Sequence, residues 1–328
     1  MSLAADAVQP QFIPGLTGLE GRASGATLAD LIGGQRTIGF DLGFDDENEI
    51  IVTDFRDPAP VLDSMASDIS RFASAAFQTI GPLSTAMPES EHVSWSLVRA
   101  YYAAFYAAHA ITRMIGESCS FFERGHTQRL TALAAAYGNT PGFALISSSY
   151  RCILSASVAC ISSKALRGGT GGAHEAFWNV FGQRLSRLGE EILTGPLGHT
   201  DAQAVFVKVE ALRQSLSLYN APLHSWLSIV RNQVQYRHAY GVWMPCKVRR
   251  QDRDRLGRLI GQWMRDPMEI DIGAVQAGQL GEFVVTCAFV VSLCRALLVR
   301  IAERSPRRGR SFATLGPLAV LGARTDHG

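Results

Sequence analysis

Closely spaced cysteine pairs, a nucleotide fingerprint and a metal-ligand cluster are all missing from this 328-residue chain. Its six cysteines, Cys119, Cys152, Cys160, Cys246, Cys287 and Cys294, lie far apart, with no C-x-x-C pair and no histidine at zinc-finger spacing. That excludes the common structural zinc sites, and no metal is expected. Several of these thiols sit inside apolar runs, where cysteine behaves as a small hydrophobe. The glycine-rich RGGTGG at 167–172 follows no strand pattern and lacks the Lys-Ser/Thr ending of a phosphate-binding loop. No dinucleotide fingerprint and no Ser-His-Asp spacing is present, so no cofactor is expected. No charged-then-apolar leader opens the sequence, which together with the scattered thiols points to a reducing cytoplasm. The longest apolar run, Phe283 to Cys294, is shorter than the roughly 20 residues that span a bilayer, so it reads as a buried core helix. Stable membrane insertion is not expected, although the basic RSPRRGR (304–310) follows that run like an anchor.

Charge is also scarce. Charged residues make up 18% of the chain against 47% hydrophobic, a composition that folds rather than stays disordered. The length suits two domains, or one domain with a large insertion. A net charge of +2 is too small for indiscriminate nucleic-acid binding, but its distribution is uneven. Residues 1–60 hold three basic and ten acidic side chains, whereas residues 231–310 hold fifteen basic and seven acidic. A basic C-terminal third suits a phosphate-bearing partner. Equally, it is a solvated surface, or an acidic head packs on a basic tail within one molecule.

The first forty residues are rich in Gly, Ala and Pro and give little periodicity, so residues 1–60 are expected to be partly flexible around one β-hairpin. In TIGFDLGF, Ile38, Phe40, Leu42 and Phe44 alternate with smaller or polar residues, and after the polar DDENE comes IIVTDF. Everything after Pro58 and Pro60 reads as helix. Apolar spacing predicts helices near 61–80, 90–116, 126–138, 148–166, 173–193, 201–220, 222–243, 251–265 and 277–304. The residues from 305 to 328 read as a basic, flexible tail.

Two segments carry chemistry. Trp95 to Arg113, WSLVRAYYAAFYAAHAITR, is alanine-dense, with Leu97, Tyr101 and Phe105 at helical spacing. Small residues let neighbouring helices approach, and the tyrosines supply contact area and hydroxyls, so this is a core helix. Leu223 to Trp243 carries an apolar stripe of Leu223, Trp226, Leu227, Val230 and Val234. On a continuous helix Arg231 and His238, seven residues apart, fall two turns along nearly one line at the edge of that stripe. A cation and an imidazole there can flank a cleft. Alternatively, Arg231 pairs with a carboxylate and His238 is an ordinary border histidine. His174 and Glu175 in GGAHEAFW read as a helix start with a capping or surface role, and His126, His199 and His224 lack companions.

The order of these two segments resembles the HEPN (higher eukaryotes and prokaryotes nucleotide-binding) family. A YYAAFYAAHA-type helix is followed later by Arg231, six residues, His238, Ala239 and Tyr240, with the polar Asn232 after the arginine. The resemblance covers about 90–116 and 222–304. It implies a mainly α fold, a HEPN-like helical bundle over 61–304, with the 105 residues at 117–221 as a helical elaboration. It further implies an endoribonuclease that acts on RNA without metal, as a homodimer with a composite cleft, in toxin–antitoxin biology, phage defence or RNA processing. An antitoxin or defence-system protein would then be a partner. Cleavage through the 2′-hydroxyl needs a base, an acid and positive charge at the phosphorane. His238 can transfer the protons, and Arg231 can hold two phosphate oxygens through its planar fork. In HEPN toxins the tyrosine in the position of Tyr240 can be modified to silence the enzyme; packing at a helix end is the plainer role. Arg237 can contact phosphate or cover the surface with its stem. Lys247, Arg249, Arg250 and Arg253 are candidates for holding the RNA backbone, although Asp252 and Asp254 dilute that run. The alternative within the same family is a non-catalytic adaptor or sensor that binds a nucleotide, RNA or protein.

Overall fold

The computed structural model describes residues 2–23, 25–34, 39–83, 93–166, 172–243, 247–273 and 278–322. In chain order the elements are α1 (Leu3–Val8), α2 (Leu28–Ile32), β1 (Phe40–Asp45), β2 (Ile50–Phe55), α3 (Ala59–Ile80), α4 (Val93–Met114), β3 (Glu117–Phe122) and α5 (Arg124–Ala136). They continue with β4 (Ser148–Leu154), β5 (Cys160–Ala165), α6 (Gly172–Leu193), α7 (His199–Ser215), α8 (Trp226–Arg237), α9 (Arg250–Gly261), α10 (Gly278–Arg304), α11 (Phe312–Leu315) and α12 (Ala319–Gly322). The fold is mainly helical, with one antiparallel sheet ordered β1-β2-β5-β4-β3.

At the centre is α4, packed on α3, α8 and α10. Ala100, Ala103, Ala104, Ala107, Ala108 and Ala110 are fully buried there, and without long side chains the neighbouring helices come close. Polar groups lock this packing. Arg113 of α4 reaches Asp68 of α3 at 3.4 Å, with both side chains almost fully buried. The same guanidinium donates to the carbonyls of His109 and Cys119, at 3.0 Å each, so the buried cation has both a counter-charge and acceptors. The apolar helix α10 is long and hydrophobic enough to cross a membrane, but 83% of its most apolar window is buried inside the fold, much of it against α4 and α9.

The 40–55 hairpin predicted from alternation is present as β1 and β2; its first predicted residues, Thr37 and Ile38, lie outside the described residues. It is not an isolated hairpin. The predicted helix over 148–166 is instead the hairpin β4–β5, which joins β2 through β5 and β3 through β4. The central insertion is therefore not purely helical. Tyr150 and Cys152 on β4, and Ile161 and Ser163 on β5, face the interior with period two. The turn between them has no Gly, Pro or Asn. Val158 adopts φ 62°, and Ser155 supplies the missing turn chemistry by accepting from the Cys160 N–H at 3.1 Å.

Both chain-end segments are packed rather than loose. In α1, Ala4, Ala5 and Val8 are buried, and Asp6 pairs with Arg300 of α10 at 2.9 Å. Glu20 pairs with Arg307 at 3.2 Å, and Gly21 N–H donates to the Arg310 carbonyl. Phe312 is fully buried. Thus 305–322 is not a flexible tail, and part of the charge asymmetry is an acidic head packing on a basic tail; residues 323–328 lie outside the described residues.

The loop that enters α8 is seated on α6. His224, at φ 55°, is held by Ser217 at 2.8 Å, and its ring lies where a side chain on Gly182 would go, 2.3 Å from that Cβ position. Gly182→Ala is therefore expected to destabilise the protein by about 1–3 kcal/mol through overpacking, read from its denaturant midpoint. The double variant Gly182→Ala/His224→Ala should recover part of that loss; no recovery would show that the contact is not the cause.

Candidate site at the α4–α6–α8 junction

Of the predicted stripe on α8, Trp226, Leu227, Val230 and Val234 are buried as expected, while Leu223 lies before the helix and is exposed. The helix ends earlier than predicted. Arg237 is its last residue, and His238 caps it in the left-handed region, φ 49°, with its N–H donating to the Gln233 carbonyl. Tyr240 (φ 64°) and Gly241 (φ 63°) follow in the same region. Arg231 and His238 therefore do not share one helical line. The physical reason lies just beyond: Val242 turns into the core, and the Trp243 Nε1–H folds back onto the Val234 carbonyl at 2.6 Å. A continuing helix would place both side chains elsewhere.

Arg231 is buried, with 6% of its surface exposed. Its guanidinium lies over the rings of Tyr101 (5.2 Å), Tyr102 (5.8 Å) and Tyr236 (5.8 Å), a cation–π arrangement on three sides. It donates weakly to the Tyr236 hydroxyl at 3.5 Å and also reaches that of Tyr101. Its Nε has no hydrogen-bond partner, and among the described residues no carboxylate pairs with it. The carboxylate alternative considered for Arg231 is thus not what the described residues show. Arg113 also lies over a ring, that of Phe72 at 4.5 Å, but it is buried together with a carboxylate, Asp68.

The residues gathered around Arg231 come from α4 and α6. Tyr101, Phe105 and His109 on α4 interleave with His174, Phe177, Trp178 and Phe181 on α6. His109 stacks on Phe177 at 3.6 Å and Phe105 lies 4.3 Å from His174. His174 Nδ1 is 2.8 Å from the Tyr101 hydroxyl, which also accepts from Trp178 Nε1–H at 3.1 Å. Burial pushes the Tyr101 phenol up to about 12, against the opposing pull of these donors. Burial and then the Arg231 cation hold His174 down to about 4. His109 is held well below the usual range by burial, then by Arg113 and His174. The 174–181 stretch was legible only as a helix start; its signal was the match of i, i+3, i+4, i+7 aromatics to Tyr101, Phe105 and His109.

The other predicted residues lie apart from this junction. His238 is exposed, with its ring 5.2 Å from Trp243, which meets the half-exposed Trp95 edge-on at 5.6 Å. Asn232 is partly buried, and Arg237 is exposed. Tyr240, half-buried, donates to Gln233 and faces a cavity of about 450 Å³ lined also by Lys247, Asp252, Arg255 and Gln279. Burial raises its phenol. Arg249 is paired with Asp252 at 3.0 Å, Arg250 is exposed, and Arg253 has a buried Nε without a hydrogen-bond partner. Of the glycine-rich loop, 167–171 lie outside the described residues, as does Cys246; the other five cysteines are free thiols. Among the described residues no group of histidine, cysteine and carboxylate side chains is placed to hold a metal. Comparison of the chain with known protein families, with characterised proteins and with solved structures finds no match.

The lowered histidines fix a pH dependence. The folded-state value of His174, about 4, lies below the ordinary 6.5, so the unfolded chain takes up a proton that the folded chain refuses. Stability should be complete above pH 6.5 and fall as pH drops from there toward about 4. Denaturant midpoints across that window should show the decline, shallower in His174→Gln, with His109 and His224, which burial also holds below the ordinary value, contributing to the rest. A flat profile in the parent would contradict the assignment.

Proposed function

We propose that the α4–α6–α8 junction receives a phosphate group of RNA, and that the protein is a HEPN-type endoribonuclease acting as a homodimer. One observation carries this reading: Arg231 is a buried cation without a carboxylate among the described residues. A guanidinium removed from water is costly unless paired, and its planar fork matches a phosphate. Tyr102 and the exposed Tyr236 border it with ring faces on which a base can stack.

In the chemistry that follows, a base takes the 2′-hydroxyl proton, the 2′-oxygen attacks phosphorus, and the P–O5′ bond breaks. The leaving 5′-oxygen takes a proton, and the products are a 2′,3′-cyclic phosphate and a 5′-hydroxyl. His238, exposed beyond the end of α8 and outside the junction, with its ring 5.2 Å from Trp243, is the proton-transfer group in this reading. One imidazole cannot serve as base and acid in the same step, and a two-fold pair of chains supplies the second. Lys247, Arg249, Arg250 and Arg253 lie on or just before α9, where they can follow the sugar-phosphate backbone without reading bases.

A second reading is favoured by a specific observation. Arg231 is covered by Tyr236, and His238 stands outside its helical line, which suits a non-catalytic module that binds a nucleotide, RNA or a partner protein. Incubation of the pure protein with total RNA in EDTA separates the two. Cleavage by the parent is expected, with Arg231→Ala and His238→Ala each reducing it about 100-fold or more. RNA binding without cleavage in the parent would establish the binding module instead.

A further inference from the structure

We infer that His174 is the second anion-binding group of this site, its Nε2–H and the Arg231 guanidinium together holding the phosphate of an RNA chain. The inference rests on the phosphate reading of the α4–α6–α8 junction and adds a residue from outside the two segments that suggested it.

One arrangement satisfies both hydrogen bonds at Tyr101. Trp178 Nε1 carries a proton and can only donate, so the Tyr101 oxygen accepts at 3.1 Å. The phenol's own proton then goes to His174 Nδ1, 2.8 Å away. An imidazole that accepts at Nδ1 is neutral with its proton on Nε2. The ring therefore offers an N–H on its far edge, and among the described residues no acceptor is bonded to that edge.

Placement supports the pairing. Tyr101 and Trp178 are fully buried, whereas His174 is only partly so, which puts the imidazole at the mouth of the cluster. Arg231 and His174 lie against the same two rings, Tyr101 at 5.2 and 5.7 Å and Tyr102 at 5.8 and 5.9 Å. The Arg231 charge is felt at the imidazole. A cation and a neutral N–H donor set against the same pair of rings suit a phosphodiester, because one supplies charge and the other direction. A carboxylate ligand would be served by Arg231 alone.

The probe is a short fluorescent 2′-O-methyl oligouridylate, which cannot be cleaved through its 2′ position, with inorganic phosphate as competitor. His174→Ala is expected to lose about tenfold in affinity, or about 1.4 kcal/mol. His174→Gln, whose amide N–H reaches the Nε2 position, should retain affinity within about threefold. In the parent, imidazole ¹⁵N resonances should show His174 protonated at Nε2 and shifting at that nitrogen when the oligonucleotide or phosphate is added. Parent-like binding by His174→Ala alongside weakened Arg231→Ala would overturn the role of His174 and leave the phosphate site standing. Parent-like binding by both variants would overturn the phosphate reading itself. If His174→Ala does not fold, an Nε2 resonance that stays put in the parent overturns the proposal.

Discussion

A guanidinium in an interior must find partners for its charge, and two buried arginines on or against α4 find them differently. Arg113 is neutralised by Asp68 and by two carbonyls, and it fastens α3 to α4. Arg231 has ring faces, hydroxyls and a bare Nε. Both positions depend on the alanines of α4, since only a thin helix lets α3 and α8 come close enough for these contacts to form. The difference between the two arginines separates a structural element from a site. The first has a counter-charge within the molecule, and the second, among the described residues, has none, which is what the proposed phosphate would supply.

The aromatic seam between α4 and α6 sets the protonation of that site. His109 sits in it as a stacking ring, locked neutral between Phe177 and Arg113. His174, at the open end, is neutral for the same desolvation reason but keeps one nitrogen for outside partners. Tyr101 links the two helices through its hydrogen bonds to Trp178 and His174. Such a chain of donors resists rearrangement, because turning any ring leaves another buried polar group unpaired.

Much of this was legible in the sequence, and the failures have physical causes. Long helices with clean apolar spacing, α3, α4, α6, α7, α9 and α10, fall close to where periodicity puts them. The hairpin β4–β5 was hidden because Ala, Ser and Cys fit either period, and because its turn is shaped by Ser155 and a left-handed Val158 rather than by glycine. The end of α8 was missed because no breaker precedes His238; the stop is imposed from downstream by Val242 and Trp243 seeking the core. The sequence marks Arg231 as a candidate but not its grouping with Tyr101 and His174, which are 73 residues apart and joined by no local pattern. His238 lies outside the junction and keeps its assigned role only as part of the proposed chemistry.

The clasp between the two ends has a bearing on how the molecule is made. The first helix, α1, packs mainly on α10 and α7, and Asp6 pairs with Arg300 of α10. During synthesis, then, an apolar N-terminal segment must wait while most of the chain is translated before its binding partner exists. Closing so long a loop is entropically slow. Until α10 is made, Ala4 and Val8 lack the helix that covers them, and the nascent chain carries that apolar face through the synthesis of everything between.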